Sequence, residues 1–575
     1  MKRLMEFMKG HRLECILGPL FKLCEATLEL FVPLIIARII DDYIPLGEAG
    51  RSGVISQSLI LLLLGFVGLM FSVTAQFFCA RAAVGSVTKM RYSLFSHLGT
   101  LSYTEIDKLG TSTMITRMTS DANQVQTGIN LTLRLLLRSP FVVFGAMVMA
   151  WVVAPDTAWL FGVTIAALSV IVFGIMLITM PLYKKVQGGI DGVVEKTRDN
   201  LSGARVIRAF SCEDGEISDF EARNNALAKG QRLAGRISAL MNPLTYVIIN
   251  LAILFLIYTG AIDVSGGNLT AGQVVALYNY MSSILIELVK MANFIISMTK
   301  SAACLGRIGA VLDIKSSMTE GEHSEGIDTD VAVEFRGASL TYSGASQSSV
   351  EGVTLTAKRG EVIGIIGGTG SGKSSLINLI PRLYDVTEGE VLINGRSIKD
   401  YRYDALRSKI GIVPQRATLF AGTIRDNMRY ANCDATDDEI MRAIEIAQAS
   451  EVVESKGGLD GVIEQGGRNL SGGQKQRLTI ARALSANPEI LILDDSSSAL
   501  DYKTDAALRT ALRQMAGNTT VFIVSQRASS IMHADKILVL DDGEVVGLGK
   551  HEELLDNCEV YREIYSSQFS EEVGV

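Results

Sequence analysis

The chain has 575 residues, more than one hydrophobic core can hold, so at least two domains are expected. Hydrophobic residues make up 48% of it and charged residues 20%, with a mean hydropathy of +0.29, which points to a membrane part joined to a soluble part. A net charge of -7 offers no basic surface for nucleic acid, which is set aside as a partner.

The first half carries six apolar stretches of the roughly 20 residues that a bilayer crossing needs. They fall at 13–40, 54–78, 131–153, 157–182, 240–261 and 271–298. Lys2, Arg3, Lys9 and Arg12 precede the first stretch. Arg81, Lys89, Arg91, Lys108 and Arg117 lie between the second and third, and Lys184, Lys185, Arg198, Arg205 and Arg208 between the fourth and fifth. The other loops are short and acidic, with Asp41, Asp42, Glu48, Asp156 and Asp263 against Arg51. By the positive-inside rule both termini are cytoplasmic, in a multi-pass protein of the cytoplasmic membrane. No cleavable signal is expected, since the first apolar stretch has no small-residue cleavage site. Cys15, Cys24, Cys79, Cys212, Cys304, Cys433 and Cys558 form no C-x-x-C and are expected to be reduced packing residues.

The connections 79–130 and 183–237 far exceed ordinary bundle loops. Rich in Leu, Met, Lys and Arg and poor in Pro, they predict helices that project into the cytoplasm. Breakers at 107–111 and 212–215 mark where each hairpin turns, either as tips that touch a nucleotide domain or as ends of a solvated stalk. Lys22, Glu25 and Glu29 share one face of the first span, and Glu287 and Lys290 have similar spacing in the last. Two readings stay open for these charges: a polar pathway for a solute, or structural ion pairs and snorkelling side chains.

The stretch from Ser316 to Gly326 is small, polar and acidic, a linker signature that includes a solvated His323. The expected division is therefore a membrane domain at 1–312, a linker at 313–330 and a soluble domain at 331–575. In that domain a buried strand, 361–366, runs into Gly367, Gly368, Thr369, Gly370, Ser371, Gly372, Lys373, Ser374 and Ser375, the phosphate-cradling P-loop pattern, followed by a helix. Its glycines let successive N–H groups point at an anion, Lys373 meets the outer phosphates and the Ser374 hydroxyl suits Mg²⁺. Tyr342 puts a ring ahead of this strand, and Gln415 ends another at Pro414, where it reaches metal or water or simply bonds a loop. Leu470, Ser471, Gly472, Gly473 and Gln474 form a second phosphate-suited turn before a strong helix. The apolar run 490–493 ends in Asp494, a carboxylate suited to hold Mg²⁺ near Ser374.

The order P-loop, Gln415, Leu470 to Gln474, Asp494, Ser498 to Asp501 and Gln526 resembles the nucleotide-binding domain of an ATP-binding cassette (ABC) transporter. Six spans ahead of one cassette resemble the exporter branch, and the segments 106–111, with Arg117 and Asp121, and 200–210 are similar to its two coupling segments. The resemblance implies an all-α transmembrane domain with long cytoplasmic extensions, then an α/β P-loop ATPase domain that binds ATP and Mg²⁺. It also implies that Tyr342 stacks on adenine, that Gly367 to Ser375 and Asp501 belong to the nucleotide set, and that Gln415 senses the γ-phosphate. Ser374, Gln415 and Asp494 would hold the metal. Cassettes of the family pair head to tail, so Ser471 to Gln474 would close over ATP held by a second subunit.

Two positions depart from the pattern. The family's catalytic Glu after Asp494 is Asp495 here, and its switch His is Gln526, which cannot carry a positive charge. Both in one site imply ATP binding with slow hydrolysis, so the chain resembles the weakly hydrolytic half of a bacterial heterodimeric multidrug-type exporter. A non-identical partner, membrane lipid and a hydrophobic or amphipathic solute are the expected partners. A lipid or peptide exporter, a slow homodimer, and an ATP-gated channel or regulator are the alternatives.

Overall fold

The structure, a computed structural model, describes residues 2–496, 499–515 and 519–569. Ser498, part of the motif run above, and the end of the soluble domain at 570–575 lie outside the described residues. The chain divides into two compact units, 1–99 with 111–314, and 100–110 with 315–575.

The first unit is all helix. Its six spanning elements are α1 (Arg12–Arg38), α2 (Arg51–Leu98), α3 (Arg138–Val153), α4 (Trp159–Ser202), α5 (Met241–Ser265) and α6 (Ala271–Asp313). Five continuous helical runs are long and apolar enough to cross a membrane, and the first, Arg3–Leu98, holds both α1 and α2. At ~1.5 Å per residue, α2 is about 70 Å long, more than twice a hydrocarbon core, so a large part of it must leave the bilayer. Between α1 and α2 the chain turns through a π-helical segment, Ile39–Tyr43, and a 3₁₀ segment, Ile44–Gly50. Asp41 from this turn accepts from the Gly272 N–H at 2.7 Å and the Thr270 hydroxyl at 2.5 Å, while Thr270 and Gln273 form a capping box. These bonds satisfy donors that the start of α6 would otherwise leave open. Leu30, Val143, Ala146, Phe161, Leu256, Tyr280 and Met281 form one apolar core among the helices.

The second hairpin breaks at Cys212, the first residue of the predicted 212–215, but not at Gly215. The chain breaks at Gly203 and again at Phe210 to Cys212, around a short helix Ala204–Ala209. Gly215 already lies inside Glu213–Ala239, where Glu213, Asp214 and Glu216 suit the positive N-terminal end of the helix.

The second unit is built on two sheets. Val331–Leu340, Val350–Lys358 and Glu388–Ile393, with the short strand Arg396–Ser397, form an antiparallel sheet. The other holds β1 (Val362–Gly367), β2 (Ile410–Val413), β3 (Ile490–Asp494), β4 (Thr520–Val524), β5 (Lys536–Asp541) and β6 (Glu544–Gly549), in the spatial order β6-β5-β1-β4-β3-β2. β1 runs parallel to β4 and β5, and β3 parallel to β2 and β4. These near-continuous apolar strands are covered on both faces, as parallel sheets require, and their carboxyl ends gather at one edge.

The linker is a strap tied down by backbone hydrogen bonds. The His323 side chain is exposed, but its N–H donates to Asp400 O at 3.0 Å, and its carbonyl accepts from the Arg402 N–H at 2.9 Å. None of the seven cysteines is in a disulfide; Cys79, Cys304 and Cys558 are buried, Cys15 and Cys24 half-buried, whereas Cys212 and Cys433 are exposed rather than packed in a core.

Candidate functional site

β1 delivers the P-loop to the sheet edge and the helix Lys373–Leu379 follows it. Gly372 between them has φ +88°, and a Cβ there would come 2.2 Å from the Ser349 carbonyl, so the turn admits only glycine. Lys373 is buried, and its Nζ donates to Gly367 O at 2.9 Å, Gly368 O at 2.5 Å and Ser371 Oγ at 3.2 Å. Burial lowers its ammonium from the ordinary lysine range, opposed by the charges of Asp494 and Asp495.

Asp494 ends β3 beside this loop. Ser374 Oγ donates to its two oxygens at 3.2 and 3.0 Å. Burial pushes the Asp494 carboxyl up, and the neighbouring Asp495 carboxylate adds to that, against the Ser374 hydrogen bond and Lys373. Asp495 has a positive φ of 45°, rare for a residue with a Cβ, and its N–H donates to Val524 O at 2.9 Å. Gln415, just past β2, donates from Nε2 to Asp495 Oδ2 at 3.4 Å. Gln526 follows β4.

One cleft of about 250 Å³ is lined by Thr369, Gly370, Gly372, Lys373, Ser374, Ser375, Gln415, Asp494, Asp495 and Gln526, among others. Thirteen residues in all close it, so the sequence-predicted set converges, but incompletely. Gly367, Gly368 and Ser371 stand behind the cleft as acceptors for Lys373. Tyr342 is also outside its wall, its hydroxyl donating to Ser375 Oγ at 3.1 Å. Ser471 to Gln474 do not line it either. They start the helix Gly472–Leu484, where Ser471 Oγ accepts from the Gln474 N–H at 3.3 Å and Gln474 Oε1 from the Ser471 N–H at 2.9 Å. Asp501 opens another helix, Tyr502–Met515, accepting from the Thr504 N–H at 3.1 Å.

The comparisons with known proteins agree with this geometry. Residues 15–289 match the model of the ABC transporter transmembrane region, and residues 350–498 that of the ABC transporter ATP-binding family described as "ABC transporter". An uncharacterized ABC transporter ATP-binding protein of Mycobacterium tuberculosis is 35% identical over 96% of this chain and 95% of its own length. The chain belongs to the ABC transporter family. An ATP-dependent lipid A-core flippase of Vibrio vulnificus is 30% identical, over 94% of each chain. The solved structure of a bacterial Atm1-family ABC exporter with ATP bound has the same fold, with a TM-score of 0.80 and 23% identity over 98% of this chain and 99% of that one. This ABC exporter chain is thus a bacterial membrane protein that binds ATP and couples its hydrolysis to transport.

Two residues that sequence reasoning missed bear on the site. Tyr384 donates to Asp107 Oδ2 at 2.6 Å, in the helix Tyr103–Leu109 that packs within the ATP-binding unit. Its ring meets Tyr103 at 6.1 Å and Tyr342 at 5.0 Å, so a path runs from Asp107 through two rings to Ser375 of the P-loop. Burial, and then the Asp107 carboxylate, push the Tyr384 phenol up. Gln568, near the end of the last helix, donates to Gln526 O at 2.8 Å and accepts from the Ala528 N–H at 2.9 Å, pinning the loop that carries Gln526. No motif marks either residue, because each is defined by a partner far away in sequence.

Proposed function

We propose that this chain is one half of a heterodimeric ABC exporter for a hydrophobic or amphipathic solute, in which its own ATP site mainly binds and its signature turn completes the partner's hydrolytic site. The observation that carries this reading is the pairing of Asp495 and Gln526 on the wall of the cleft formed by Lys373, Ser374 and Asp494. Asp495 is one methylene shorter than Glu, and a general base acts only within about 2.6–3.2 Å of its proton. Gln526 lacks the cationic form of a histidine. The capped start of the helix at Ser471 keeps the features of a phosphate-facing turn.

Lys373 and the P-loop amides hold the phosphates in this reading, and Tyr342 faces the adenine. Ser374 Oγ and the Asp494 carboxylate, hard oxygen donors 3.0–3.2 Å apart, suit Mg²⁺, with Gln415 as a further oxygen donor. When bound, the ion neutralises charge on the β- and γ-phosphate oxygens. Asp107 and the turn around Ala204–Ala209 relay the cassette movement, and both termini face the cytoplasm. The amphipathic class of cargo is supported by the flippase relative and by the charged groups inside the spans.

Purified chain, checked to be free of any companion, and its co-purified complex would be compared for ATPase activity in lipid. The proposal expects turnover to appear with the companion, whose sequence should carry Glu and His at the positions of Asp495 and Gln526. Vigorous turnover by the lone chain, or a companion with the same two substitutions, would overturn it. Uphill flux driven by ATP separates an exporter from the alternative of a gated channel, which moves solute only downhill.

A further inference from the structure

One group of charges in the membrane bundle, paired by hydrogen bonds, holds as many cations as carboxylates, and a further cation flanks it. Lys22 on α1 donates to Glu25 at 2.5 Å and to Ser72 Oγ at 3.0 Å. Arg138, buried at the start of α3, donates to Glu29 at 2.7 Å and to Glu287 at 2.6 Å. Lys290 donates to that same Glu287 oxygen at 2.8 Å, and Ser139 to the other at 2.8 Å. All three carboxylates are therefore taken.

Arg134 is the fourth cation and has none of them. Its Nε is buried without a hydrogen-bond partner, and among the described residues it makes no ion pair. Four residues to either side, Asn130 Oδ1 and Arg138 Nε are likewise buried and unpartnered, so three open polar atoms form a row. Arg134 lies four residues before Arg138, on the flank of the charged cluster. Arg134 is half-buried, and ionisable groups in a spanning stretch face a bundle interior or a watery cavity. Its planar fork matches phosphate or carboxylate, whereas a cation would add to the repulsion.

We propose that Arg134 receives the acidic headgroup, a phosphate or a carboxylate, of an amphipathic cargo. This deepens the exporter reading above and rests on it. The test uses the complete complex in zwitterionic nanodiscs, with dodecyl phosphate, dodecyltrimethylammonium and inorganic phosphate as probes and native mass spectrometry as the readout. Arg134→Gln is expected to weaken dodecyl phosphate binding about tenfold or more, the loss of a charged hydrogen bond, while Arg134→Lys, which keeps the charge but not the planar fork, retains part of it. Binding of the dodecyltrimethylammonium probe should not weaken in either variant. Equal affinity of the native complex and Arg134→Gln for dodecyl phosphate would overturn the proposal. So would inorganic phosphate competing as well as the amphiphile, which would mark a free-anion site. ATP-driven movement of a neutral amphiphile, measured on the same samples, reports separately on the exporter reading. If the affinities behave as expected but no amphiphile moves, the anion site is supported and its role as a cargo site is overturned.

Discussion

The cleft beside Lys373 and the helix that starts at Ser471 belong to one cassette, yet the same substitutions do not reach both. The cleft gathers Thr369, Gly370, Gly372, Lys373, Ser374 and Asp494, while the two positions where the resemblance expects a Glu and a His carry Asp495 and Gln526. The turn at Ser471 keeps its reciprocal cap and an unobstructed Gly472. In the reading proposed above, binding and turnover are separable in this fold, because the groups for each sit on different strand ends and on a helix start.

The largest effect is expected at the signature turn. A Cβ at Gly472 would meet nothing within 4 Å, and an acidic residue suits a first helical turn, so Gly472→Asp should fold normally. A carboxylate facing phosphate costs several kcal/mol, so ATPase of the complex should fall by about 10³-fold while nucleotide binding to this chain's own P-loop persists. Changing the cleft should do the reverse. Asp495→Glu with Gln526→His is expected to raise hydrolysis at this chain's site by about 10²-fold, the low end of general-base contributions, read as single-turnover phosphate release.

A smaller change is expected along the aromatic path. Tyr384→Phe keeps the ring contacts but removes the bond to Asp107, worth about 1 kcal/mol, so coupling of transport to ATPase should drop several-fold with ATP affinity unchanged. The smallest effect concerns Asp121, which accepts from Arg307 at 2.5 and 3.1 Å and from Arg117 at 2.7 Å. Although burial opposes it, these bonds hold its carboxyl below the ordinary range. A depressed native pKa gives stability that is present above the ordinary carboxylate range and lost as pH falls through the native value. Melting temperature should therefore decline on acidification in the native chain and do so less in Asp121→Asn.

Much of this was legible in the residues alone. The P-loop, Asp494 and the spans could be read because their chemistry is local: a strand period, a glycine at a left-handed turn, a run of apolar residues. Arg138 was not, since nothing near it in sequence announces Glu29 or Glu287. Tyr384 and Gln568 escaped for the same reason, and the strap at His323 shows that polar composition does not decide whether backbone groups find partners. The turn at Phe210 to Cys212 was displaced from the expected glycine because Glu213, Asp214 and Glu216 start the next helix early.

The most direct test of the unequal cassette is a single-turnover assay of the co-purified complex loaded with ATP in both sites. The account predicts that one ATP per dimer is split quickly while a second, bound at Lys373, stays intact, so that Lys373→Ala removes the retained ATP. Hydrolysis of both at the same rate would contradict it.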